Sequence, residues 1–249
     1  MDYKFEWNNT VSYYAVDSKM KATLSAVMAY FQEIAIMHSD EAGYSIEKLS
    51  QQNLGWVITN YHIVITKMPQ CGQKLILKTW SSTIKHFQAE RSYTAEDEYG
   101  NVIIKASSRW VLIDLKKRSF VPVNSDMEKA YKTGAASAVE NERYKMPKER
   151  QNFVSDFAVE VTRSQTDTNG HVNNTQYAAW AGDMVPDEIY NNWNCVDFKI
   201  VFRKESVKGE KITLKTYINN TAENEKEIVT DFVNAEDSVI CTASFVYRR

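Results

Sequence analysis

The sequence predicts an α+β fold built twice within one chain. Three observations carry this. A stretch of the first half recurs in the second. An amphipathic helical segment opens the first half, and a short aromatic helix opens the second. Runs of strand-like sequence follow each of them. Ile63–Trp80, IVITKMPQCGQKLILKTW, aligns without a gap on Ile200–Tyr217, IVFRKESVKGEKITLKTY, at an offset of 137 residues. Fixed-offset self-similarity of this kind is the mark of a repeated structural unit. Further down, Ser108-Arg109-Trp110-Val111 resembles Ala243-Ser244-Phe245-Val246.

In the first half, Leu24, Val27, Met28, Phe31, Ile34 and Ala35 recur at helical spacing and form one apolar stripe. Strands are expected near 55–67, 74–83, 88–96 and 102–114, with Tyr99-Gly100-Asn101 as a hairpin-like turn. In the second half they are expected near 157–163, 196–204, 211–218, 227–233 and 239–247. Residues 124–152 are polar and weakly periodic, which predicts a partly helical linker. The organisation is thus an N-terminal repeat over 1–123, a linker over 124–152 and a C-terminal repeat over 153–249. A long helix lying on an antiparallel sheet, twice over, buries one face of each sheet.

The 249 residues suffice for one large domain or two small ones. Thirty basic and 32 acidic residues leave a net charge of −2, which gives no general attraction to nucleic acid or a membrane surface. No apolar run is long enough to span a bilayer. The first ten residues, MDYKFEWNNT, contain no signal-peptide core, and a cytoplasmic protein is expected. Cys71, Cys195 and Cys241 are odd in number and scattered, which fits reduced thiols better than disulfides or a zinc site.

One stretch occurs once only: Asp167-Thr168-Asn169-Gly170-His171-Val172-Asn173-Asn174. In an extended segment, Asp167, Asn169 and His171 would face one side and converge. The same letters also spell a turn, since Asp, Asn and Gly are turn formers. Asn173 or Asn174 is placed to cap a following helix through Tyr177 and Trp180. A neutral His moves protons near pH 7, an amide offers fixed donors, and a helix N-terminus polarises a nearby carbonyl. Hydrolysis of an ester or thioester needs such groups. Aligning the halves sets Asn169 against Lys19, His171 against Lys21 and Glu205 against Met68. The polar set therefore survives in one half only.

This stretch, with Tyr177 and Trp180 after it, resembles the acyl-ACP thioesterases, the plant enzymes that terminate fatty-acid chains and their bacterial relatives. Phe202–Ser206, FRKES, is similar to their tyrosine-arginine-arginine-glutamate-cysteine strand, and GWVI at 55–58 and ASSRWV at 106–111 match in the first half. The resemblance covers nearly the whole chain. It implies a tandem (double) hotdog fold and hydrolysis of a fatty acyl thioester carried on the phosphopantetheine arm of acyl carrier protein, with no cofactor and no metal. It implies Asp167, Asn169, His171 and Glu205 as the active-site groups, Asp167 acting as orienter or as nucleophile. Val172, Asn173 and Ser206 are accessory candidates. Ser206 stands where the family often has cysteine, so water is the expected attacking group. The first half, without the polar set, is expected to hold the acyl chain against Met20, Leu24, Val27, Met28 and Phe31. Homodimerisation is left open. An acyl-CoA thioesterase and a non-catalytic acyl-binding module are the rival readings. The alternation of Phe198, Ile200 and Phe202 puts Glu205 on the opposite strand face, so reaching the site requires a bulge before Gly209 or an approach from the other half.

Overall fold

The computed structural model describes residues 3–139 and 145–249, so residues 140–144 of the expected linker lie outside the described residues. The chain divides into two units, Met1–Asn141 and Glu142–Arg249.

In the first unit, β1 (Phe5–Thr10) leads through a 3₁₀ turn at Tyr13–Ala15 to α1 (Leu24–Glu41) and α2 (Ile46–Gln51). Strands β2 (Leu54–Ile65), β3 (Lys74–Lys85), β4 (Gln88–Glu96) and β5 (Val102–Asp114) follow. The short β6 (Ser119–Phe120) pairs with β5, and α3 (Ser125–Ala130) ends the unit's regular structure. Helix α1 starts where Thr23 caps it, its Oγ1 accepting the Ala26 N–H at 3.1 Å. Val27, Met28, Phe31, Ile34 and Ala35 are buried, as their spacing predicts. Met20 is not on the helix. It sits in the preceding turn at φ 60°, 47% exposed, because Thr23 sets the helix start three residues later. It therefore does not belong to the expected apolar lining. Met127 and Tyr131 seat the start of the expected linker on the first unit, packing with Leu49, Ile84 and Leu112.

In the second unit, β7 (Asn152–Glu160) leads through a 3₁₀ turn at Arg163–Gln165 to α4 (Asn174–Asp183) and α5 (Asp187–Asn192). Then come β8 (Asn194–Phe202), β9 (Lys211–Ala222), β10 (Glu225–Val233) and β11 (Val239–Arg248). Strand β7 starts five residues earlier than the expected 157 and ends before Arg163. There Thr162 and Gln165 close a capping box that turns the chain out of the sheet. Helix α4 is short because Pro186 cannot continue it and pushes Val185 towards extended backbone.

The two sheets have one topology. The first unit orders its antiparallel strands β1-β3-β4-β5-β2, and the second β7-β9-β10-β11-β8. Register repeats as well. Ile65 pairs with Ile104, and Phe202 pairs with Cys241, both residues of the second pair being 137 further along. Each unit's helix covers one face of its sheet, with Phe31 stacked on Tyr93 in the first and Tyr177 against Phe232 in the second. This is the hotdog arrangement, built in tandem.

Candidate active site

The segment after the 3₁₀ turn of the second unit is a closed turn, not an extended run. The Asp167 N–H donates to the His171 carbonyl at 2.7 Å, and the Gly170 N–H donates to the Asp167 carbonyl at 3.0 Å. Gly170 takes φ 79°, a left-handed position that favours glycine. The Asp167 carboxylate lies inside the turn, where Oδ1 accepts the N–H of Asn169 at 2.8 Å and of His171 at 3.2 Å. The expected convergence of three side chains along a strand is thus replaced by a turn whose acid holds the backbone of the other two.

The first unit builds the same turn. Asp17 N–H donates to the Lys21 carbonyl at 2.8 Å, and Asp17 Oδ1 accepts from Lys19 N–H at 2.8 Å and Lys21 N–H at 3.0 Å. Met20 occupies the left-handed place that Gly170 fills. The aspartate is therefore a scaffold feature common to both halves. What distinguishes the second half is what the turn presents, namely Asn169 and His171 in place of two lysines.

Glu205 reaches His171 because β8 ends in a bulge. The N–H groups of Arg203 and Lys204 both donate to the Ile240 carbonyl, at 2.8 and 3.2 Å, which breaks the strand alternation. The following loop pairs with the turn: Val172 N–H donates to the Ser206 carbonyl at 2.8 Å, and His171 and Val207 form an antiparallel bridge. Glu205 Oε2 then lies 3.4 Å from His171 Nε2, with side-chain exposures of 31% and 25%. Both side chains are partly exposed and lie within ion-pair range of each other. Asn169 is exposed at the turn's tip.

Asn173 caps α4, its Oδ1 accepting from the Thr175 N–H at 3.0 Å and the Thr175 hydroxyl at 2.9 Å. The positive end of the α4 dipole thus begins two residues after His171. Val172 is buried and anchors the turn. Ser206 is 1% exposed, and its Oγ has no hydrogen-bond partner among the described residues. Burial pushes the phenol of Tyr177 well above the usual range, and its hydroxyl, like that of Ser206, makes no hydrogen bond among the described residues. Leu24, Val27, Met28 and Phe31 lie in the first unit on α1. Among the described residues, no cluster of three His, Cys, Asp or Glu side chains could hold a metal ion.

A duplicated hotdog with a partly exposed His–Glu pair, one residue on a turn and the other on the loop that pairs with it, defines a class, that of tandem hotdog proteins with the pair in one half. Comparison narrows this. The family model of the acyl-ACP thioesterase N-terminal domain matches residues 2–131, and that of the C-terminal domain matches residues 147–249. The chain belongs to the acyl-ACP thioesterase family. It is 22% identical over 231 residues to acyl-[acyl-carrier-protein] hydrolase FATB2 of Cuphea viscosissima, covering 88% of this chain and 56% of that one. It is 27% identical over 215 residues to oleoyl-acyl carrier protein thioesterase 1 of Arabidopsis thaliana, covering 80% and 59%. The chain therefore spans little more than half the length of these relatives. The solved 12:0-ACP thioesterase from Umbellularia californica superposes with a TM-score of 0.87 at 19% identity, over 98% of this chain and 94% of that one, and shares the fold.

Proposed function

We propose that the protein hydrolyses fatty acyl thioesters of acyl carrier protein, releasing free fatty acid and the carrier thiol. The observation that carries this reading is the partly exposed His171–Glu205 contact at 3.4 Å, present in one half of a fold whose other half keeps the same turn without it. Family membership supports the choice of substrate.

In this reading, water attacks the thioester carbon. The His171–Glu205 pair orients that water and takes its proton. The tetrahedral intermediate collapses with rupture of the C–S bond, and the proton passes to the departing thiolate. Asn169, at the tip of the turn, positions the substrate, and the dipole of α4 favours the oxyanion. Asp167 is an orienter. Its Oδ1 already accepts two backbone N–H groups, and the equivalent Asp17 does the same where no chemistry is expected. The attacking group is water rather than Ser206, whose hydroxyl is buried. The acyl chain is assigned to the apolar face of α1, with Leu24, Val27, Met28 and Phe31.

The test is turnover by His171→Ala and Glu205→Ala. Each should lower kcat by about 10²–10⁴-fold, the usual worth of a positioned acid or base. Circular dichroism should be unchanged, since both side chains are partly exposed. A folded variant of either kind with near-normal turnover contradicts the assigned role. Hydrolysis of matched acyl-ACP and acyl-CoA substrates identifies the carrier.

A further inference from the structure

The second unit contains a buried polar chain that ends at the strand exit from which Glu205 is projected. Arg150 grips Asp231 with two bonds, Nε to Oδ2 at 2.5 Å and Nη2 to Oδ1 at 2.8 Å. The Thr242 hydroxyl donates to Asp231 Oδ1 at 2.7 Å. Arg203 Nη1 donates to Thr242 Oγ1 at 2.9 Å. Asp231 is 8% exposed and Thr242 fully buried, whereas Arg203 is an exposed residue. A surface arginine ordinarily samples many rotamers. This one is pinned by a buried hydroxyl that is itself fixed by a charged, bidentate pair.

The repeat shows that the fold does not require this chain. At an offset of 137, Arg203, Asp231 and Thr242 correspond to Thr66, Thr94 and Lys105. The backbone bulge persists there regardless, since the N–H groups of Thr66 and Lys67 share the Ile103 carbonyl. Among the described residues, the extra tie thus appears in the half where the loop after the bulge carries Glu205 instead of Met68. Glu205 is two residues beyond Arg203. Its loop is held at the far end by the Ser206 carbonyl and the Val207 bridge. At the near end it is held by the bulge and by the Arg203 side chain.

We infer that Asp231 and Thr242 are positioning residues, acting through Arg203 to hold the Glu205 loop in register with His171. The inference rests on the proposed role of the His171–Glu205 pair. A contact of 3.4 Å tolerates little drift, and a displacement of about 1 Å at such a site lowers the rate by up to 10²-fold.

The experiment compares Thr242→Val, Thr242→Ser, Arg203→Met, the Thr242→Val/Arg203→Met double variant and Ser244→Ala. Ser244 lies on the same strand, 3% exposed, and bonds Glu227 rather than this chain, so it controls for lost stability. Thr242→Val should lower kcat about tenfold or more with KM within about twofold. Thr242→Ser should restore it. The double variant should be no worse than either single one, because both break one connection. Ser244→Ala should lower Tm comparably and leave kcat unchanged. The NMR signal of the His171 ring supplies a readout independent of turnover. In Thr242→Val it should move towards its position in Glu205→Gln, and in Ser244→Ala it should not move. The inference is overturned if Thr242→Val matches Ser244→Ala in kcat and His171 signal, or if the Thr242 and Arg203 losses multiply. Loss of the His171 response with normal turnover in Glu205→Gln would instead count against the proposed function.

Discussion

Asp167 can be tested by two substitutions with opposite expectations. Asp167→Ala removes the acceptor of the Asn169 and His171 N–H groups, at 2.8 and 3.2 Å. A hydrogen bond to a charged acceptor is worth about 1.5–3 kcal/mol when buried. This carboxylate is only partly buried and water can replace it, so the total loss should be about 1–3 kcal/mol. Asp17→Ala removes the matching bonds in the first unit and should lose a similar amount. The two variants should therefore look alike in urea unfolding. Their activities should differ sharply. Only the Asp167 turn presents His171 and Asn169, so Asp167→Ala should lower kcat at least tenfold and Asp17→Ala should leave it near normal. Asp167→Asn retains an Oδ1 acceptor and should keep most turnover. Steady-state thiol release from acyl-ACP measures all three. A folded Asp167→Asn variant as inactive as His171→Ala would refute the reasoning and restore the aspartate as nucleophile.

His38 supplies a prediction about acid. Burial first, then the nearby charges of Arg91 and Lys132, push it down to about 3. The folded state therefore keeps it neutral while the unfolded chain takes up a proton below pH 6.5, so stability is full above that pH and falls as pH drops from 6.5 towards 3. By pH 5 the loss is about 2 kcal/mol, and His38→Gln should remove that part of the difference between urea curves at pH 7 and pH 5. Ser206→Ala removes a buried hydroxyl that makes no hydrogen bond among the described residues. It should be neutral or slightly stabilising and keep a substantial fraction of kcat, whereas an acyl-serine trapped by mass spectrometry would overturn water attack. Val27→Phe or Met28→Trp crowds a side chain 3% or 1% exposed. Overpacking should cost about 1–3 kcal/mol. Each buried methylene is worth about 0.8 kcal/mol, so the acyl-ACP length profile should shift towards shorter chains. A change in overall rate without a shift would place the acyl chain elsewhere.

Much of this was legible in the sequence because the chain repeats itself. The offset of 137 set the register of β2 and β3 against β8 and β9, and the apolar spacing of α1 marked its buried face. Asn173 was readable as a cap. The turn at Asp167 was less so. Spacing of i, i+2, i+4 fits a strand, and equally fits a turn in which the first side chain binds the backbone of the other two. Asp17, at the matching place in the first half, is the signal in the sequence that favours the turn. Met20 continued the helical apolar pattern, but Thr23 overrode it by capping later. Strand alternation pointed Glu205 away, and only the bulge at Arg203 and Lys204 corrects that. The Arg150–Asp231–Thr242–Arg203 chain joins residues 81 and 39 apart; strand register sets Asp231 opposite Thr242, while both arginines reach them from just outside the strands.

The most direct test of the central claim is hydrolysis of saturated acyl-ACPs in ¹⁸O-labelled water, with thiol release and the mass of the product acid read together. The account predicts release of carrier thiol and one labelled oxygen in the acid under single-turnover conditions, both lost in His171→Ala. Binding of acyl-ACP without thiol release would contradict it, and so would unlabelled acid from the first turnover, which would mean that an enzyme oxygen attacked the thioester.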